Sequence, residues 1–197
     1  QVYEAADVDI PEALGFIRSS MMRMDNLINE ILKLSRAGRK VLEPSALRTD
    51  ELIQGCIDSI RQRFDEAGAE VAIEGALPGI VSDRTALEQI FSNLLDNAVK
   101  FSPENGTVHI RMAGDELTIW DEGPGIAPED LPKIFDRFFR SNKARNTPGT
   151  GLGLSIVAHT INAHGGTVTA DNQEGAGAKF IVVLPAAPPE KLAEYED

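Results

Sequence analysis

Apolar residues at Ile10, Leu14, Ile17, Met21, Met24, Ile28 and Ile31 recur at alternating spacings of four and three, which places them in one stripe along a helix. Asp9 and Glu12 form a capping-box pattern, Pro11 suits a first helical turn, and Gly38 supplies a stop. Leu27 and Leu34 widen the stripe, so the spacing predicts a helix built for a multi-helix bundle. Past a turn at Glu43 and Pro44, a second amphipathic helix should start after Thr49 or Asp50. It carries Leu52, Ile53, Cys56, Ile57, Ile60 and Phe64, and ends at Gly68. Val71 with Ile73, then Ile80 with Val81, predict two short strands split by a turn at Pro78 and Gly79. Asp83 caps a third helix through Leu87, Ile90, Phe91, Leu94, Leu95 and Ala98. Strands are expected from Thr107 to Met112 and from Glu116 to Trp120, joined by a turn at Gly114 and Asp115. A helix from about Leu152 to Ala163 and strands at Thr167 to Ala170 and Lys179 to Leu184 complete the pattern.

Between Asp121 and Gly149 the chain is rich in proline, glycine and charge, with one apolar island at Leu131, Ile134, Phe135, Phe138 and Phe139. A loop of that length is usually functional or mobile. The stretch after Pro185 is rich in proline and glutamate, a composition that favours disorder. The expected organisation is a helical segment over 1–43, an α/β unit over 44–186 and a tail over 187–197. Its fold class is α+β, a two-layer sandwich of a mixed sheet covered by helices on one face, preceded by a long bundle helix.

Charge narrows the functions open to this pattern. The 197 residues carry a net charge of −12, which repels nucleic acid and anionic membrane surfaces. A phosphate ligand would need placed cations, a metal ion or backbone N–H groups to overcome that field. Cys56 is the only cysteine, so no intrachain disulfide forms and a reducing, cytoplasmic setting is expected. No apolar run approaches the roughly 20 residues of a membrane span.

Three segments carry candidate chemistry. Gly149, Gly151 and Gly153 alternate with Thr150, Leu152 and Leu154 directly before a helix, so bare backbone can meet an anion at the helix's positive end. Leucine at position 154 departs from the dinucleotide fingerprint, and the Gly-Lys-Ser/Thr ending of a Walker loop is missing. Asn93 and Asn97 share a helix face, with Lys100 one turn on; an amide oxygen can join phosphate oxygens and water around Mg²⁺ but is a poor base for activating water. Asp121 closes an apolar strand ahead of Gly123, Gly125 and Ile126, where its carboxylate could accept a hydrogen bond from a purine amino group. Each signal taken alone also fits a plain structural role: an eased turn, a solvated helix face, or an Asp before a glycine turn.

Order and spacing decide between these readings. Asn93 to Phe101, Asp121 to Ile126, Phe135 to Arg140 and Gly149 to Ser155 resemble, in sequence, the N, first glycine, F and second glycine boxes of sensor histidine kinases. The likeness runs from about Asp83 to Leu184, and Met24 to Arg36 resembles more loosely the second helix of that family's dimerisation bundle. The resemblance implies a Bergerat-type ATP-binding fold and transfer of the γ-phosphoryl of Mg-ATP to a histidine, for relay to a response regulator aspartate. Asn97 would ligate Mg²⁺ beside Asn93, Lys100 would steady phosphate, and Phe101 would pack near adenine or ribose. Asp121 would read the adenine amino group, with Gly123, Gly125 and Ile126 shaping the pocket. The loop from Gly149 through Thr150, Gly151, Leu152, Gly153 and Leu154 would line the triphosphate. A lid over about 127–148 would present Arg137, Arg140, Lys143 and Arg145 as positive charge. A homodimer through the bundle helix is implied as well.

One departure stands out. His109, His159 and His164 are the only histidines, and none matches the family's acceptor, which is followed by an acid on the first bundle helix. The acceptor helix is expected upstream of Gln1. Alternatives are an ATP hydrolase of the same superfamily, disfavoured because those enzymes place Glu where Asn93 stands, and a non-catalytic nucleotide-binding regulator.

Overall fold

The computed structural model describes residues 10–37, 43–142, 144, 147, 149–173 and 177–184. Helix α1 spans Ile10–Ala37, with Glu12 in its first turn. Its apolar stripe stays open, with Leu14, Ile17, Met21, Met24 and Ile28 all more than half exposed, while Leu27 on the neighbouring face is half-buried. Among the described residues the helix packs mainly on the helix that follows the glycine loop. Asp9, Gly38 and the tail beyond Leu184 lie outside the described residues.

Strand β1 (Pro44–Leu47) was not legible as a strand; it pairs antiparallel with β3 (Ile80–Asp83) in a two-stranded sheet. The second amphipathic helix is two pieces, α2 (Thr49–Ser59) and α3 (Arg61–Ala67), separated at Ile60, whose N–H bonds back only three residues to Ile57. Gly68 closes α3 in the left-handed conformation at φ 61°, as a glycine stop should.

The main sheet has the order β2-β4-β5-β7-β6, built from β2 (Glu70–Glu74), β4 (Thr107–Ala113), β5 (Glu116–Trp120), β6 (Thr167–Asn172) and β7 (Ala178–Val183). It is mixed because β2 runs parallel to β4 while every other pair is antiparallel. Strand β2 therefore does not form a hairpin with β3 across Pro78 and Gly79; the two strands join different sheets.

Alternation along the strands sends Val108, Ile110, Met112, Leu117, Ile119, Phe180 and Val182 to one buried face. Against it lie α4 (Arg84–Phe101), through Leu87, Ile90, Phe91, Leu94, Leu95 and Ala98, and α5 (Gly153–Ala163), through Val157 and Ile161. Truncating any of these leucines to alanine should cost about 2–5 kcal/mol. Helix α4 starts where Asp83 accepts a hydrogen bond from Ala86 N at 2.9 Å, and the same carboxylate takes Glu43 N at 3.1 Å. One residue thus caps the helix and fixes the strand pair in front of it.

Candidate nucleotide site

The buried stripe of α4 leaves Asn93, Asn97, Lys100 and Phe101 along its half-buried margin, on the side turned toward the glycine loop. Asn93 Nδ2 donates to Gln89 O at 2.7 Å and Asn97 Nδ2 donates to Asn93 O at 3.0 Å. Because only the amide NH₂ can donate to a carbonyl, these bonds engage the nitrogen of both side chains and leave Oδ1 as the acceptor end. The Lys100 ammonium lies 5.0 Å from the centre of the Phe101 ring, a cation-π arrangement that keeps the charge at the helix end.

Asp121 follows β5 and is 2% exposed. Its Oδ1 accepts from Gly123 N at 2.8 Å and from Ala178 N at 3.2 Å, which leaves Oδ2 as the end able to accept from a ligand. Burial raises this carboxyl above the ordinary aspartate range, and the two backbone N–H groups pull it back down. Gly123 has to be glycine: a Cβ there would stand 2.1 Å from Phe101 O. The loop after Asp121 is thereby pressed onto the end of α4.

The second glycine loop closes the other side. A Cβ on Gly153 would lie 3.0 Å from Asn93 Oδ1, and one on Gly149 would lie 2.6 Å from Lys100 Nζ. Gly151 sits at φ 77°, with the carbonyl of Phe139 2.7 Å from its missing Cβ. Leu152 is fully buried, so only its backbone faces the site, and its N–H bonds to Thr150 Oγ1 at 3.3 Å. Leu154 and Ile126 are half-buried and pack against the core. Among the described residues no side chain caps α5, so the N–H groups of its first turn face an anion site without a side-chain cap.

The lid is tied down at Phe138 and at Arg140. Phe138, at φ 64°, donates its N–H to Gly151 O at 3.0 Å, tying the lid to the glycine loop. The Arg140 guanidinium donates to the carbonyls of Ala144 and Thr147, while Arg137 is exposed. Lys143 and Arg145 lie outside the described residues. The structure therefore brings Asn93, Asn97, Lys100, Phe101, Asp121, Gly123, Gly149 and Gly153 along one wall.

Sequence reading missed Gly177, which is buried and donates to Asp121 O at 2.9 Å; a Cβ there would stand 1.9 Å from Asp121 Oδ1. The repeated glycines Gly175 and Gly177 before an apolar strand were the available signal. Among the described residues no three His, Cys, Asp or Glu side chains converge on a possible metal position. His109 stacks on Trp120 at 4.8 Å on the sheet, and His164 bonds Thr160 O at 2.7 Å at the end of α5.

Residues 82–188 match the histidine kinase-, DNA gyrase B- and HSP90-like ATPase family, and the chain belongs to it, on the sensor histidine kinase side. The sensor-like histidine kinase SenX3 of Mycobacterium tuberculosis is 34% identical over 173 residues, covering 83% of this chain and 42% of SenX3. The structure of the mycobacterial sensor histidine kinase MprB is 33% identical, with a TM-score of 0.64, over 75% of this chain and 99% of that one. Full-length ShkA in complex with AMPPNP is 31% identical, with a TM-score of 0.72, over 90% of this chain and 40% of that one. The chain spans less than half the length of SenX3. Among the described residues no helix is long and apolar enough to cross a membrane.

Proposed function

We propose that this chain holds Mg-ATP between α4, the loop after Asp121 and the glycine loop, and delivers its γ-phosphoryl to a histidine on another helix. The observation that carries the reading is the run of close approaches from Asp121 through Gly123 and Phe101 to Lys100, Gly149, Gly153 and Asn93. Adenine fits at the Asp121 end, where a buried carboxylate oxygen accepts from the exocyclic amino group. The triphosphate fits at the other, beside Lys100 and the uncapped start of α5. ShkA, similar over most of this chain, holds AMPPNP, which has the same base and phosphate chain length.

The oriented amide oxygens of Asn97 and Asn93 suit a hard cation that completes its shell from phosphate and water. Bound there, Mg²⁺ would neutralise charge on the phosphate chain. Lys100 adds fixed positive charge on the phosphate side, and Arg137 is an exposed lid cation able to swing in, whereas Arg140 donates to the lid's own carbonyls. In the transfer, an imidazole nitrogen lone pair forms the new P–N bond, the bond to the ADP oxygen breaks, and the ring N–H proton leaves to solvent. Neither asparagine is a base that could activate water in competition, which favours kinase over hydrolase.

The phosphohistidine would then serve a response regulator aspartate, and α1 would join a homodimeric bundle. The proposed division is a helical segment over 1–43, the nucleotide-binding unit over 44–186 and a tail. Incubation with γ-labelled ATP, Mg²⁺ and a protein carrying the acceptor-histidine helix tests this. Acid-labile, base-stable label on that helix supports the reading; saturable ATP binding without any transfer overturns the kinase part of it.

A further inference from the structure

The loop between Asp121 and Ile126 is anchored at two points, both by residues that lie outside the motif itself. Its start is held by the β6–β7 connection, through Gly177 N and Ala178 N on Asp121. Its end is held by Asn172, the last residue of β6 and the register partner of Ala178. Asn172 Oδ1 accepts from Ile126 N at 2.7 Å, and Asn172 Nδ2 donates to Ile126 O at 2.8 Å. One carboxamide thus satisfies both backbone groups of a residue 46 positions away, as a neighbouring strand would. The approach is possible because Gly125 stands at φ 67° and lacks a Cβ, which would lie 2.7 Å from Asn172 Oδ1.

We infer that Asn172 is a positioning residue for base recognition: by clamping Ile126 to the sheet edge it fixes the turn that sets the Asp121 carboxylate and Gly123 against the base. This rests on the nucleotide reading above. Among neutral side chains of this length only an amide offers an acceptor and a donor together, whereas aspartate would face the Ile126 carbonyl with a second acceptor. Serine is too short to reach both groups.

The test compares ATP with purine riboside triphosphate, which keeps the phosphates and lacks the 6-amino group. Wild-type protein should prefer ATP by about tenfold, the worth of one charge-assisted hydrogen bond. In Asn172→Ala and Asn172→Asp that ratio should fall at least about threefold, with ATP affinity reduced and the analogue's affinity nearly unchanged. Asparagine-to-aspartate keeps the shape, so it remains informative should the alanine variant fold poorly. Equal loss for both ligands, or an unchanged ratio in a folded variant, overturns the positioning role while leaving the nucleotide site standing. Wild-type protein that binds neither ligand overturns the nucleotide reading itself.

Discussion

Gly177 has no side chain because Asp121 is in the way: a Cβ on Gly177 would lie 1.9 Å from Asp121 Oδ1, and its N–H donates to Asp121 O at 2.9 Å. Gly177→Ala must therefore push the carboxylate or open the β6–β7 connection. The expected result is a stability loss of about 1–3 kcal/mol together with at least about tenfold weaker ATP binding. Thermal melting and calorimetry on the same sample check it; an alanine variant with normal affinity would show that Asp121 does not need this backbone approach.

Asp121 also predicts opposite effects on stability and binding. Burial raises its folded pKa above the ordinary aspartate value of 3.8, so the fold holds the proton more tightly than the unfolded chain does. This group's neutral form favours folding at low pH. That contribution is lost as pH rises from the unfolded aspartate range through the higher folded value, and above both the penalty is constant. Asp121→Asn removes the buried charge and can keep an acceptor toward Gly123 N and Ala178 N. It should melt at or above the wild-type temperature near neutral pH while losing about tenfold or more in ATP affinity. ATP binding by the wild type should weaken as pH falls, with a midpoint above 3.8. A variant that melts lower and binds normally would reverse the assignment.

These two residues illustrate what the chain discloses locally and what it does not. Asn93, Asn97, Asp121 and the alternating glycines are readable because their neighbours in sequence are their partners in function, on one helix or one loop. Helices α4 and α5 and strands β4 and β5 follow from period and from caps such as Asp83. Asn172 and Gly177 act through contacts across 46 and 56 positions, and no local spacing marks such a relationship. Strand β1 was hidden because only Leu47 of its four residues is buried, too little for a period to show. The pairing of β2 with β4 instead of β3 is a choice of sheet neighbour, which alternation cannot encode.

Asn97→Ala removes an oriented amide oxygen whose nitrogen is already engaged by Asn93 O. Nucleotide binding should lose most of its dependence on Mg²⁺, so that adding a chelator changes affinity less than about twofold, against a far larger change in the wild type. Asn97 is half-buried at the helix margin, and its loss should leave the melting temperature within a few degrees. Calorimetric titrations with and without Mg²⁺ decide it; an unchanged Mg²⁺ response would place the ion elsewhere.

The open stripe of α1 makes the last prediction. Ile17 and Ile28 are 53% and 54% exposed, on the same face as Leu14, Met21 and Met24. Each isoleucine is about half covered already, so moving the rest out of water would contribute about 1 kcal/mol, and the stripe as a whole gives two aligned copies a driving force to pair. Sedimentation of the protein should shift toward a dimer as concentration rises. Ile17→Glu combined with Ile28→Glu should hold it monomeric, because carboxylates on that seam would be desolvated on pairing. Both side chains are more than half exposed and neither is a proposed nucleotide contact, so ATP affinity should not change with the double substitution. A wild-type chain that stays monomeric at high concentration would show that α1 reserves this face for something other than its own copy.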